Sequence, residues 1–122
     1  MAVSKPRKIL LIGSDASRDA EKLLVGADCC VVTVSTGAAA VGCVKYNMFD
    51  AAVLVSTGRE MDLAETALNL RDIQPSLEII ILIDPAVEAK ELAAQADALV
   101  HAIPRSRILT RPELNDHVAA SH

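Results

Sequence analysis

The chain has 122 residues, a formal net charge of −4, 52% apolar residues and 2% aromatic residues. This length suffices for one domain with its own core, and the apolar content excludes intrinsic disorder. The acidic balance and the scarcity of aromatic rings for base stacking argue against nucleic acid and anionic membranes as direct partners.

The apolar runs are also too short to span a bilayer. Three cysteines, Cys29, Cys30 and Cys43, have neither metal-binding nor redox spacing. With an odd count and no secretory signal, they predict a reducing, cytoplasmic environment.

Short apolar runs bounded by turn residues predict five strands. They are Lys8–Ile12, Cys29–Val34, Ala51–Val55, Leu77–Ile83 and Ala98–Ile103. Helical spacing and capping residues predict helices between them. They run from Ser14 or Asp15 to about Val25, over Ala38–Tyr46 and Leu63–Asp72, from Pro85 or Ala86 to about Ala96, and, after a capping box at Thr110–Glu113, through Leu114 and Val118.

Strands that alternate with helices in a short chain predict βα units around a parallel sheet. The expected fold is α/β: a three-layer, doubly wound (βα)5 domain with five parallel strands, flavodoxin-like in architecture. Residues 1–122 form one domain, with a loose lead-in over 1–7 and a tail over 120–122. In such a sheet, chemistry is expected outside the carboxyl ends of the strands.

Several short stretches resemble, in order and spacing, the receiver domain of bacterial response regulators over residues 7–119. They are Lys8–Ile12, Thr36-Gly37-Ala38-Ala39-Ala40-Val41, Phe49-Asp50, Met61-Asp62, Pro75 before an isoleucine-rich strand, and Ala96-Asp97. The resemblance implies a receiver-like fold and a role in two-component signalling.

The residues that such a receiver uses to bind Mg²⁺ and to accept phosphate on an aspartate are replaced here. The acidic pair after the first strand falls on Gly13 and Ser14, with Asp15 one residue later. The acceptor aspartate falls on Val55 or Ser56, and the hydroxyl residue after strand four on Ile83 or Asp84. The lysine falls on Ile103, directly before Pro104.

We therefore interpret the chain as a degenerate receiver: not an enzyme, with no metal or cofactor, working by protein contact independently of phosphorylation. In the resembled family, partners and homodimers use helix 4, strand 5 and helix 5. Here that surface corresponds to about Val87–Ala96, Ala98–Ile103 and Arg111–Ala119. Its candidate contact residues are Lys90, Glu91, Gln95, His101 and Arg105, with Leu92, Leu99 or Ile108 as apolar anchors.

Two alternatives stay open on the sequence alone. One is a conventional phosphate-accepting receiver whose site residues are misaligned here. The other is a flavodoxin-like domain that binds a nucleotide or small anion at the amides of Gly13–Ser17, with Asp15, Ser56 and Asp84 nearby. Helix capping is the simpler role for Asp15 and Asp84.

Overall fold

A computed structural model describes residues 7–13, 18–26, 29–55, 63–82 and 97–120. Within them, five strands form one parallel sheet in the order β2-β1-β3-β4-β5. The strands are β1 Lys8–Ile12, β2 Cys30–Val34, β3 Ala51–Val55, β4 Glu78–Leu82 and β5 Ser106–Leu109. The predicted flavodoxin-like (βα)5 fold is confirmed.

Helices cover both faces of this sheet and complete three layers. They are α1 Arg18–Gly26, α2 Gly37–Tyr46, α3 Leu63–Ile73, α4 over residues 97–102, and α5 Arg111–Ala120. Buried side chains of α1 and α5 belong to one core, and those of α2, α3 and α4 to another. Among these described residues, no helix is long and apolar enough to cross a membrane.

The central strand β3 is the most completely buried element. All five of its residues are buried, and their side chains alternate between the two cores. Its register pairs Ala51 with Glu78 and Val55 with Leu82. Burial on both faces is the reason that this strand appears in the sequence as an unbroken apolar run.

The predicted fifth strand, Ala98–Ile103, is wrong. Residues 97–102 are helical, and the backbone N–H of Ile103 donates to Leu99, as in a helix. Leu99 and Ile103 are four residues apart and share the core face of this turn. A short apolar run does not by itself separate strand from helix.

The strand β5 begins only after a turn through Pro104 and Arg105, where Arg105 adopts a positive φ of 56°. The Ser106 hydroxyl donates to the Ile103 carbonyl at 2.5 Å and so secures the end of α4. The prediction placed strand five before this turn, whereas the chain pairs with β4 after it.

Two helix starts follow their sequence signals. Thr36 caps α2, its hydroxyl accepting the Ala39 N–H at 3.1 Å. At α5, the carboxylate of Glu113 accepts the backbone N–H of Thr110 at 3.0 Å and its hydroxyl at 2.9 Å. These hydrogen bonds hold the pKa of Glu113 below its ordinary value. The capping box predicted from Thr110–Glu113 is confirmed.

One buried polar side chain, that of Gln74, joins α2, α3 and the start of β3. Its amide nitrogen donates to the carbonyls of Val44 at 2.9 Å and Asn47 at 2.5 Å. Its amide oxygen accepts the Phe49 N–H at 3.2 Å. A buried amide with this many partners is satisfied rather than costly. It fixes where the chain enters the central strand.

Candidate functional site

The carboxyl end of the sheet is the place where this fold is expected to carry chemistry. Gly13 follows β1 directly, is buried, and has no side chain to offer. Its N–H donates to the Val34 carbonyl at 3.0 Å and so extends the β1–β2 pairing. Val55 ends β3, is 4% exposed, and packs in the core beneath α1 and α5.

These two positions do not suit a hard cation. Mg²⁺ binds through oxygen ligands, usually including carboxylates. A glycine and a buried valine supply no side-chain oxygen, so the ends of β1 and β3 do not fit the metal that the resembled family uses. Within the described ranges, no three His, Cys, Asp or Glu side chains cluster as metal ligands. Ser14, Asp15, Ser56, Ile83 and Asp84 lie outside those ranges.

The prediction that Ile103 stands in place of the family's lysine is wrong, because it depended on the misplaced fifth strand. Ile103 is 6% exposed and packs in the core at the end of α4. The proline that follows the observed β5 is Pro112, and the residue before it is Arg111. A basic residue therefore follows β5 after all, as a planar guanidinium instead of an ammonium.

The predicted contact surface is only partly described. His101 is exposed on α4, with Nδ1 2.8 Å from the Asp97 carbonyl oxygen. Arg105 is exposed in the turn, and its carbonyl accepts the Ile79 N–H at 3.0 Å. Leu99 is only 5% exposed and belongs to the core, so the expectation that it anchors a partner is wrong. Lys90, Glu91, Leu92 and Gln95 lie outside the described residues.

A charged cluster that the sequence analysis missed lies at the amino end of the sheet. The carboxylate of Glu78, at the start of β4, lies 3.2 Å from Arg7, 3.2 Å from His117 Nε2 and 3.4 Å from Arg107. The side chains of Arg7, Glu78 and His117 are each less than 20% exposed. The cluster joins the lead-in to β1 with β4, β5 and α5.

Two opposing influences set the pKa of Glu78. Burial raises it, while the hydrogen bond and charge of His117, the hydrogen bond from Arg7 and the charge of Arg107 lower it; the net result is a pKa below the ordinary value. In the sequence, the one sign of this charged cluster was a single acidic residue at the start of an apolar strand. That pattern does not identify its partners, which are distant in the chain.

Solved structures share the fold of this chain, although comparison of its sequence with known proteins finds no match. No family model matches the sequence, and neither does any curated protein. An adenylate cyclase structure from Rhodopirellula baltica superposes with a TM-score of 0.71 at 20% identity, covering 95% of this chain and 87% of that one. A response regulator receiver protein from Sinorhizobium medicae gives 0.68 at 23% identity, covering 96% and 94%.

The receiver domain of the sensor histidine kinase PA1611 from Pseudomonas aeruginosa gives a TM-score of 0.70 at 18% identity, covering 95% of this chain and 97% of that one. Its structure has a magnesium ion coordinated in the active-site cleft. Most of the similar structures are receiver domains. At these identities the likeness establishes the fold, and the fold of this chain is that of a receiver-like domain.

Proposed function

We propose that this chain is a regulatory module of a two-component type of pathway that acts by protein contact and does not use an aspartyl phosphate. The observation that carries the proposal is Val55, the buried apolar residue that ends the central strand. A valine side chain has no atom that can accept a phosphoryl group.

The strand registers argue against a simple misalignment of the site. Val55 pairs with Leu82 as the last pair of β3 and β4, and Ile12 pairs with Leu54 and Val34. Because β3 is buried on both faces, a slip of one residue would exchange the side chains that pack in its two cores. These registers support our assignment of Val55, the last residue of β3, to the acceptor position.

Support for a contact function comes from the edge of the sheet formed by α4, β5 and α5. His101, Arg105 and Arg107 are exposed there, as are Glu113 and Asp116 on α5. Both signs of charge side by side suit a polar protein partner, and they do not suit a nucleic acid backbone. With no phosphate chemistry to switch it, this surface is held in one state.

Incubation with acetyl phosphate and Mg²⁺, followed by phosphate-affinity electrophoresis, tests the chemical half of the proposal. A conventional receiver domain treated in parallel should shift, and this chain should not. A base-labile phosphoprotein would overturn the proposal in favour of a conventional receiver.

Binding assays with purified candidate kinases and regulators of such pathways test the proposed protein contact. Arg105→Glu and His101→Glu should each weaken binding at least ~10-fold, because each places a negative charge in the contact surface. Lys22→Glu, an exposed change of the same sign on α1, is the matched control. Equal losses in Arg105→Glu and Lys22→Glu would exclude this surface.

The flavodoxin-like anion site is the second candidate, and the same protein tests it. The first amide of the predicted nest, that of Gly13, already donates to Val34. We therefore expect no thermal stabilisation by phosphate or nucleotides. A saturable rise in Tm with one of these anions would favour this candidate over the contact module.

A further inference from the structure

Within the described part of the chain, the backbone groups on the outer edge of β2 have no strand partner. In the sheet order β2 is terminal, with β1 beside it. The Cys30 N–H donates to the Arg7 carbonyl at 2.8 Å, and the Val34 carbonyl accepts the Gly13 N–H at 3.0 Å. Because alternate residues of a parallel strand bond to the same neighbour, the N–H and C=O groups of Val31 and Thr33 face away from the sheet.

The two edge strands differ in whether they carry residues that discourage pairing with another strand. The β5 edge carries the exposed Arg107 and follows a turn containing Pro104 and Arg105. Charged residues and prolines at an edge discourage pairing with another strand. The β2 strand, Cys30–Val34, contains neither: Cys30 and Thr33 are exposed and its three valines are partly exposed. This edge is open to a further strand.

The flank of α2 beside this edge is uncharged as well. A Cβ on Gly37 would lie 2.5 Å from Thr66, so the Gly37 side of α2 faces α3. With 3.6 residues per turn, Ala39 and Cys43 lie on the opposite flank, away from α3, and Tyr46 lies next to them. Ala39 is exposed and Tyr46 is 86% exposed, whereas Cys43 is partly buried.

We propose that the β2 edge and this flank of α2 bind a second copy of the same chain. A two-fold axis normal to the sheet at Val32 would place Val31 opposite Thr33 of the second copy. Each such pair would exchange two backbone hydrogen bonds, and the two Val32 residues would face each other without one. The result is a continuous ten-stranded sheet, with the two α2 helices as antiparallel neighbours on one face.

The chemistry of the surface favours a second copy over a charged partner. The residues described on the β2 edge and this flank of α2 carry no charged side chain to select an opposite charge. The two-fold arrangement sets uncharged, β-branched residues against one another. No like charges are brought together in the strand pair. The dimer leaves α4, β5 and α5 at the opposite edge free, so this inference does not depend on the proposed function.

Cysteine cross-linking tests the register directly, in a Cys30→Ser, Cys43→Ser background. Across a non-hydrogen-bonded antiparallel pair the two Val32 Cα atoms would be ~4.5 Å apart, within disulfide range. Val32→Cys should therefore form a covalent dimer under mild oxidation. Thr33→Cys is the matched control, because its two copies lie on a diagonal more than ~7 Å apart. Equal cross-linking of both variants, or of neither, would overturn the proposal.

Sedimentation equilibrium of the unmodified full chain gives the second readout. We expect a concentration-dependent dimer that Thr33→Lys and Ala39→Glu each weaken at least ~10-fold, because they place charge at a strand edge and a helix contact. Asn69→Lys, an exposed change on α3, should leave it unchanged. Urea unfolding confirms that every variant is folded. A monomer at all concentrations, or a dimer broken by His101→Glu and not by Thr33→Lys, would contradict the proposal.

Discussion

At the amino end of the sheet, charged and polar side chains converge, whereas at its carboxyl end β1 is followed by a glycine and β3 ends in a buried valine. Glu78 gathers Arg7, Arg107 and His117 at the amino end. Gly13 and Val55 stand at the carboxyl end. In this fold chemistry is expected at the carboxyl end.

Charged side chains can hold a fold together or take part in chemistry. The amino-end cluster connects four segments that are distant in sequence, so its role in this molecule is to hold the scaffold together. A catalytic cluster would be expected at the opposite end of the sheet, where Gly13 and Val55 are buried. Four substitutions test this contrast between the two ends of the sheet.

Val55→Asp is expected to have the largest effect. It places a carboxylate in a site that is 4% exposed and lined by the aliphatic core. Burial of an unpaired charge should lower the free energy of unfolding by about 3 kcal/mol, measured by urea denaturation.

Magnesium chloride should not restore that loss, because Gly13 supplies no second carboxylate. Val55→Thr, which adds a neutral hydroxyl of similar size, is the control and should cost less. Strong stabilisation of Val55→Asp by Mg²⁺ would show that a metal cage survives at the carboxyl end.

Gln74→Leu tests the polar network at the amino end. It removes three hydrogen bonds and leaves the Phe49 N–H and the Val44 and Asn47 carbonyls without this partner. We expect a loss of about 2 kcal/mol in the free energy of unfolding. The exposed Asn69→Leu should change it by less than about 0.5 kcal/mol. Similar values for the two variants would show that water replaces the Gln74 side chain.

Gly37→Ala tests the close helix contact near the carboxyl end. Its Cβ would lie 2.5 Å from Thr66 Oγ1, so the Thr66 side chain must rotate or the two helices must move apart, at a cost of about 1.5 kcal/mol. Gly42→Ala is the matched control: nothing lies within 4 Å of its Cβ, and it should be neutral or stabilising. Thr66→Ala should relieve the clash, seen as non-additivity in a double-mutant cycle.

The acid limb of the stability curve gives the smallest effect. Because the folded-state pKa of Glu78 is lowered, its favourable contribution is present above the unfolded pKa of about 4.3 and is lost as pH falls through the folded value. Glu78→Gln should therefore flatten the decline in stability below about pH 4.5. Glu113→Gln, which removes a fully exposed carboxylate, should flatten it less. An unchanged slope in Glu78→Gln would show that the Glu78 cluster does not contribute to the pH dependence of the free energy of unfolding.

Local patterns in the sequence were reliable where one signal dominated. The apolar run Ala51–Val55 is strand β3 with the predicted bounds, and the capping box at Thr110 begins α5. Both depend on residues close together in the chain. The sequence also predicted that this strand ends in a valine instead of a carboxylate, because that needed only the end of the strand.

The fifth strand was misplaced for the opposite reason. The run Ala98–Ile103 and the run Ser106–Leu109 are both short and partly apolar, and intrinsic preference does not distinguish them. Pairing decided the outcome: Ile79 pairs with Ser106, and Leu82 with Leu109. Strand five therefore does not end at Ile103, and the alignment of Ile103 with the family's lysine loses its basis.

The alternating strands and helices, and the valine that ends the central strand, could be read from the sequence because periodicity and residue type are local properties. Contacts between distant segments established which short segment became β5, that Gln74 bonds to the entry of β3, and that Glu78 lies beside Arg7, Arg107 and His117. Those outcomes depend on contacts between residues 25 to 71 positions apart, which no local pattern encodes.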